Sequence, residues 1–242
     1  DAALQGADAV VHLAGLAGVR ESMQHAVLYK DVNVRGTACL LARAAKADVR
    51  GVVFASSSSV YGNGALPFLE GARLSPLSPY GESKRAAELL ISAFGRSHEK
   101  GAVSCRLFSV YGPRQRPDLA LRKFATAILR KEEIAVFGEC TRDYTHVSDT
   151  VDGLIRTLDY AVEGGAGVFN IGRGRNVSTM TLISLLEACL SRKARIKMAP
   201  AQEGDAKHTL ASIEKAKKTL GYSPKTELED GVKSFVRWLT SR

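Results

Sequence analysis

A chain of 242 residues that is 45% hydrophobic and 24% charged can bury a real core in one large or two small domains, which excludes disordered and fibrous classes. Lys and Arg outnumber Asp and Glu by 34 to 25, a net charge of +9. The basic residues are scattered and aromatics are only 7%, which argues against a nucleic-acid partner. No apolar run approaches the ~20 residues that span a bilayer and no secretory signal is legible. Cys39, Cys105, Cys140 and Cys189 form no CxxC, so no disulfide framework or zinc site is expected and a reducing cytoplasm fits.

In chain order, the apolar run from Ala9 to Ala14, ending in Gly15 and Gly18, reads as a buried strand. Helical spacing follows over about 22–47. Gly51–Ser56 is a second buried strand, and 62–79 is a loop punctuated by Gly and Pro. Tyr80 to about His98 is an amphipathic helix, and Ala102–Phe108 a third strand. Strands alternating with long helices predict a parallel sheet of βαβ units. Beyond Pro113 the elements shorten: a helix over Leu119–Lys131, a strand over Ile134–Phe137, and a strand-like Arg142–Val147. Ser148 is expected to cap a helix reaching Tyr160. A strand over Gly167–Ile171, a helix over Met180–Leu190, an extended Arg195–Met198 and helices over Ile213–Leu220 and Leu228–Leu239 complete the chain. The expectation is two parts: 1–113, the C-terminal part of a dinucleotide-binding domain with the catalytic residues, and 114–242, mainly a substrate-binding lobe interleaved with the sheet.

The chemistry concentrates at Ser56-Ser-Ser-Ser59, at a strand end, and at Tyr80 and Lys84, spaced i, i+4 on one helix face. A free tyrosine is a poor base at neutral pH. An ammonium beside it favours the phenolate, and a strand-end hydroxyl can share in proton transfer. His12 reads as a structural histidine. His146 and Asp149 have no third metal ligand nearby, so no metal is expected.

Several segments carry a family resemblance: His12-Leu-Ala-Gly15, Asn33-Val-Arg-Gly-Thr37, Ser56-Ser-Ser-Ser-Val-Tyr-Gly62, Pro79-Tyr-Gly-Glu-Ser-Lys84, Arg106-Leu-Phe-Ser-Val-Tyr-Gly-Pro113 and Arg142-Asp-Tyr-Thr-His-Val-Ser-Asp149. In order, they resemble the extended short-chain dehydrogenases/reductases, specifically the NAD-dependent epimerases and dehydratases of nucleotide sugars. The resemblance implies an α/β fold with a Rossmann-type parallel sheet, N-terminally truncated here, and a smaller α/β substrate lobe. It implies Ser57, Tyr80 and Lys84 as catalytic residues, with Tyr80 the general base. It implies NAD as cofactor, contacted by Ala14, Asn33, Ser56, Tyr80 and Lys84.

Family dehydratases carry carboxylates at the two positions before Val-Tyr-Gly, where this chain has Ser58 and Ser59, which leaves epimerisation. Ala17-Gly-Val-Arg-Glu-Ser22 and Arg116-Pro-Asp-Leu-Ala-Leu-Arg-Lys-Phe124 resemble stretches of UDP-glucuronate 4-epimerases. Gln202 ahead of Gly204-Asp205 follows that pattern too, while Glu203 and Ser212 depart from it. The implied substrate contacts are Arg20, Ser58, Ser59, Ser109, Arg116, Val136, Phe137, Arg142 and Asp205. Arg116 and the serines would take a sugar carboxylate, Arg142 the diphosphate and Asp205 the uridine ribose. The expected reaction is 4-epimerisation of UDP-glucuronate to UDP-galacturonate through a 4-keto sugar. Alternatives are a 4-epimerase of UDP-glucose or UDP-N-acetylglucosamine, or a truncated, non-catalytic UDP-sugar-binding protein. A homodimer, without membrane or nucleic-acid partners, is implied.

The family's Gly-rich GxxGxxG turn, which seats the pyrophosphate on a helix N-terminus, has no counterpart here, and by resemblance about 60 residues of a full member would precede Asp1. The expectation for these 242 residues alone is UDP binding better than NAD binding, and no measurable epimerisation.

Overall fold

The computed structural model describes residues 4–200 and 204–241; Gln202 and Glu203 lie outside them. Four strands form the central sheet: β1 (Ala9–His12), β2 (Gly51–Ser57), β3 (Gly101–Leu107) and β7 (Ala166–Ile171). They run parallel in the order β1-β2-β3-β7. Alternation along β2 divides the core. Val52 and Phe54 pack with Leu41, Ala87, Ile91 and Phe94 on one face. Val53 packs with Val103, Cys105, Ala161, Phe169 and Leu220 on the other. The first face is covered by α3 (Gly36–Ala44) and α4 (Pro79–His98), the second by α6 (Val147–Val162) and α8 (Glu214–Leu220).

The region read as one helix over 22–47 is a relay: α1 (Val19–Gln24), α2 (Ala26–Lys30), a π-helical turn over Asp31–Arg35, then α3. His25 breaks it, with φ −128° and ψ 40°. The π turn places Asn33, 2% exposed, where its amide can reach outside the helix. The expected cap at Ser148 is corrected as well. The His146 side chain accepts from Ser148 N (3.3 Å), so the cap and the start of α6 lie two residues earlier. By contrast α4 begins by the rule, with Ser78 accepting from Gly81 N (3.2 Å) and Pro79 in the first turn.

Past Pro113 the chain builds a second layer and also returns to the first. Strands β4 (Ser109–Tyr111), β6 (Thr141–His146) and β8 (Asn176–Ser178) form a small mixed sheet; β4 and β8 were not legible as strands. Strands β5 (Glu133–Phe137) and β9 (Arg195–Ala199) pair in parallel. Helices α5 (Ala120–Arg130), α7 (Thr179–Leu190) and α9 (Leu228–Thr240) close a separate core around Leu121, Ile128, Tyr144, Leu182, Leu186 and Phe235. The segments α6 and β7 go back to the central sheet. Among the described residues, no helix is long and apolar enough to cross a membrane.

Candidate active site

The site lies at the C-terminal edge of the central sheet, where β2 ends in the serine run and α4 begins. Ser57 is the last residue of β2, 8% exposed, and its Oγ accepts from Ser59 N (3.1 Å), which caps a 3-10 turn over Ser58–Val60. Tyr80, in the first turn of α4, packs its ring edge-on against Tyr29 (6.2 Å between centroids, 83°). Burial raises the Tyr80 pKa; its hydrogen bond with Ser57 and the charge of Arg116 oppose that rise, while Tyr29 adds to it. Arg116 is a positive charge that favours the phenolate here.

The Lys84 ammonium turns toward the sheet instead. Nζ donates to the Ala55 carbonyl (2.8 Å) and lies 4.8 Å from the centre of the Phe54 ring. Burial pulls its pKa down from 10.5 to about 8. Below pH 8, folded and unfolded chains both hold this lysine charged, and the folded state bears the full desolvation penalty. Between about 8 and 10.5 the folded chain releases the proton first and the penalty fades. Lys84→Met is therefore expected to stabilise the fold at pH 7 by about 1–2 kcal/mol, once the lost bond to Ala55 is offset against the removed charge. Thermal unfolding followed from pH 7 to 10 should show that gain shrinking; a gain that grows with pH would sink the argument.

Asn33 is committed to the protein. Its Oδ1 accepts from Leu16 N (2.8 Å), and Nδ2 donates to Leu16 O (3.0 Å) and Ser83 Oγ (2.9 Å). It thus ties the loop after β1, which carries the exposed Ala14, to α4. A side chain at Gly15 would press on the Asn33 amide. Ser56 is also turned inward, its Oγ bonded to Glu88, so its side chain does not face the site. His12 donates Nε2–H to Thr37 Oγ1 (2.9 Å), because that hydroxyl spends its own hydrogen on Asn33 O (2.6 Å).

The other candidate residues form two rims. On one, Arg116 reaches the Ala17 carbonyl with Nη2 (3.3 Å) and grips Asp118 with Nε (3.0 Å) and Nη2 (2.6 Å). Ser58, Ser59 and Ser109 are half-buried, and the Ser59 carbonyl packs on α4 so closely that Gly81 has no room for a side chain. On the other rim, the Arg20 guanidinium lies 5.0 Å from the Phe137 ring centre, beside the buried Val136. Gly204, next to Asp205, packs against Val19 and Met23 of α1. Arg142 donates to the carbonyls of Thr141 (3.1 Å) and Lys207 (3.0 Å) through Nη1 alone.

Sequence reasoning missed the carboxylate that holds this second rim. Asp143 is fully buried. Oδ1 accepts from Arg173 N (2.8 Å), and Oδ2 accepts from Gly174 N (2.9 Å) and Ala211 N (3.1 Å). Burial raises its pKa and these hydrogen bonds oppose the rise. Asp149 likewise accepts from Lys225 N and Thr226 N (both 3.0 Å). Both aspartates sit in the quoted Arg142–Asp149 motif, but nothing in one sequence says which distant backbone they hold.

Residues 1–172 match the family model described as "NAD dependent epimerase/dehydratase family". An uncharacterized protein of Methanocaldococcus jannaschii is 41% identical over 237 residues, covering 96% of this chain and 72% of its own length. A UDP-glucuronate 4-epimerase of Thermodesulfobacterium geofontis is 37% identical over 234 residues, covering 95% and 72%. Among solved structures, the UDP-glucuronic acid 4-epimerase of Bacillus cereus in complex with UDP-glucuronic acid and NAD superposes with a TM-score of 0.94. It is 33% identical and covers 99% of this chain and 77% of that one.

Proposed function

Because the chain belongs to the NAD dependent epimerase/dehydratase family, we propose that it is an NAD-dependent UDP-sugar 4-epimerase whose substrate is UDP-glucuronate and whose product is UDP-galacturonate. The observation that carries this reading is the Ser57–Tyr80 pair at the sheet edge, flanked by the hydroxyls of Ser58 and Ser59. Tyr80 takes the proton of the sugar 4-hydroxyl, and Ser57 bridges that hydroxyl and the phenol. NAD, held at its nicotinamide end by Lys84, Tyr80 and the loop at Ala14, would supply the reversible hydride acceptor for C4 of the sugar. With no carboxylate at 58 or 59, the site lacks an acid/base for eliminating water.

The residues present fit the nicotinamide end of a dinucleotide. One of the three hydrogens on the Lys84 ammonium goes to Ala55, leaving donors for a ribose, and the Asn33-braced loop presents Ala14. Tyr80 supplies the phenol beside them, and Ser56 contributes backbone. Arg142 and Arg20 supply charge for the diphosphate; Asp205, Val136 and Phe137 hold the uridine. In this reading 1–113 is the cofactor part and 114–242 mainly the substrate lobe. A reducing cytoplasm suits the four cysteines. Two copies pair through α1–α3 and α4, where Val27 is 83% and Leu89 69% exposed. Light scattering should give twice the monomer mass; a monomer at high concentration would exclude this pairing.

Arg116 decides the sugar. Asp118 takes its Nε and Nη2, and Nη1 is the donor for a C6 carboxylate, joined by Ser58, Ser59 and Ser109. The same fork favours a second reading, a neutral UDP-hexose, because the guanidinium already has a carboxylate partner. A substrate panel separates the two. The expected result is conversion of UDP-glucuronate in preference to UDP-glucose, with Arg116→Ala raising KM for the acid by about 10-fold or more. Conversion of UDP-glucose alone would select the second reading.

A further inference from the structure

Beneath the site lies a buried polar chain that the proposed chemistry does not use. Arg106, on β3, and Glu88, on α4, are 3% and 7% exposed. Arg106 donates Nε to Glu88 Oε1 (2.9 Å) and Nη2 to Oε2 (2.8 Å). The Ser56 hydroxyl donates to the same Oε1 at 2.5 Å. Arg106 Nη1 continues to the Tyr61 hydroxyl (2.9 Å) and the Glu70 carbonyl (3.0 Å), and Tyr61 donates to Asn170 Oδ1 (2.6 Å).

A buried ion pair is a poor source of net stability, because desolvating both charges offsets most of their attraction. Its placement suggests a different contribution. Glu88 follows Lys84 by four residues and Tyr80 by eight, so all three share one face of α4. Ser56 directly precedes Ser57 on β2. One carboxylate therefore joins the strand end that carries Ser57 to the helix that carries Tyr80, and Arg106 fixes its orientation from β3.

We propose that Glu88 is a positioning residue that, through Ser56 and held by Arg106, sets the Ser57 hydroxyl against the Tyr80 phenol. The inference rests on the reading of Ser57 and Tyr80 as the reacting pair. Reacting groups displaced by about 1 Å can lose about 10²-fold in rate, and a bond from strand to helix is what prevents such a slip.

The test is a double-variant cycle of Ser56→Ala and Glu88→Gln. Ser56→Ala leaves the Glu88–Arg106 pair intact, so it keeps the test open if Glu88→Gln fails to fold. Without NAD, ultraviolet titration of the Tyr80 phenol, taken as the difference from Tyr80→Phe, should show its pKa raised in each variant. In turnover, each variant should lose about 10-fold in kcat with KM for the UDP-sugar nearly unchanged, and the double variant should lose no more than either single. Unmoved titration and kcat in folded Ser56→Ala would overturn the proposal, as would additive losses. So would weakened NAD affinity with unmoved titration, which would place the Ser56 hydroxyl on the cofactor. A Tyr80→Phe enzyme that keeps its rate would instead overturn the underlying reading of the reacting pair.

Discussion

In a complete chain that includes the Gly-rich segment, Tyr80→Phe is expected to lower epimerase turnover by at least about 10²-fold while UDP affinity stays within about twofold, since removal of a positioned acid/base has that size of effect. The substitution deletes one oxygen. The ring keeps its edge-on packing against Tyr29, and the rim residues Arg142, Asp205 and Phe137 are untouched. What is lost is the proton acceptor and its bond with Ser57. Burial holds this phenol above its ordinary value, so the wild-type rate should climb with pH as the phenolate fraction grows. Calorimetric titration with UDP and a coupled assay with UDP-glucuronate read the two halves separately. Retention of most of the rate would mean that another group is the base.

Asp143→Ala is expected to destabilise the protein by about 3–5 kcal/mol, a large share of the stability of an ordinary domain. Three backbone N–H groups, from Arg173, Gly174 and Ala211, would lose their acceptor together. At about 1–3 kcal/mol for each unsatisfied donor, partial relaxation still leaves a loss in that range. Asp143→Asn keeps one acceptor oxygen and should lose roughly half as much. The loop that ends at Ala211 begins beside Asp205, so Asp143→Asn should also weaken UDP binding while leaving the Tyr80 titration in place. Urea denaturation measures the first effect and calorimetry the second. An Asp143→Ala protein within 1 kcal/mol of the wild type would show that these donors find other partners.

Much of the frame was legible because it rests on local periodicity. The buried strand over 51–57 is an unbroken apolar or small-residue run, that over 101–107 is broken only by Arg106, and α4 was marked by its apolar spacing from Tyr80 onward, while its cap Ser78 and first residue Pro79 were read as loop. The relay over 19–44 was not legible, because the break at His25 and the π turn at Asn33 follow from what the helix must reach, the loop after β1, and not from its own composition. Strands β4 and β8, three residues each, are strands only by virtue of their shared partner β6.

The sequence by itself determined the alternation of strands and helices, the spacing of Tyr80 and Lys84 on one helix face, and the serine run at a strand end, since each depends on residues close along the chain. The tertiary structure alone decided where long side chains spend their hydrogen bonds. It turned Lys84 to the Ala55 carbonyl, Ser56 to Glu88, Asn33 to Leu16 and Arg116 to Asp118. It also assigned to Asp143 a set of backbone donors 30 and 68 residues away. The physical reason is that a buried polar group must find a partner wherever the packed chain presents one, and sequence distance places no limit on that choice.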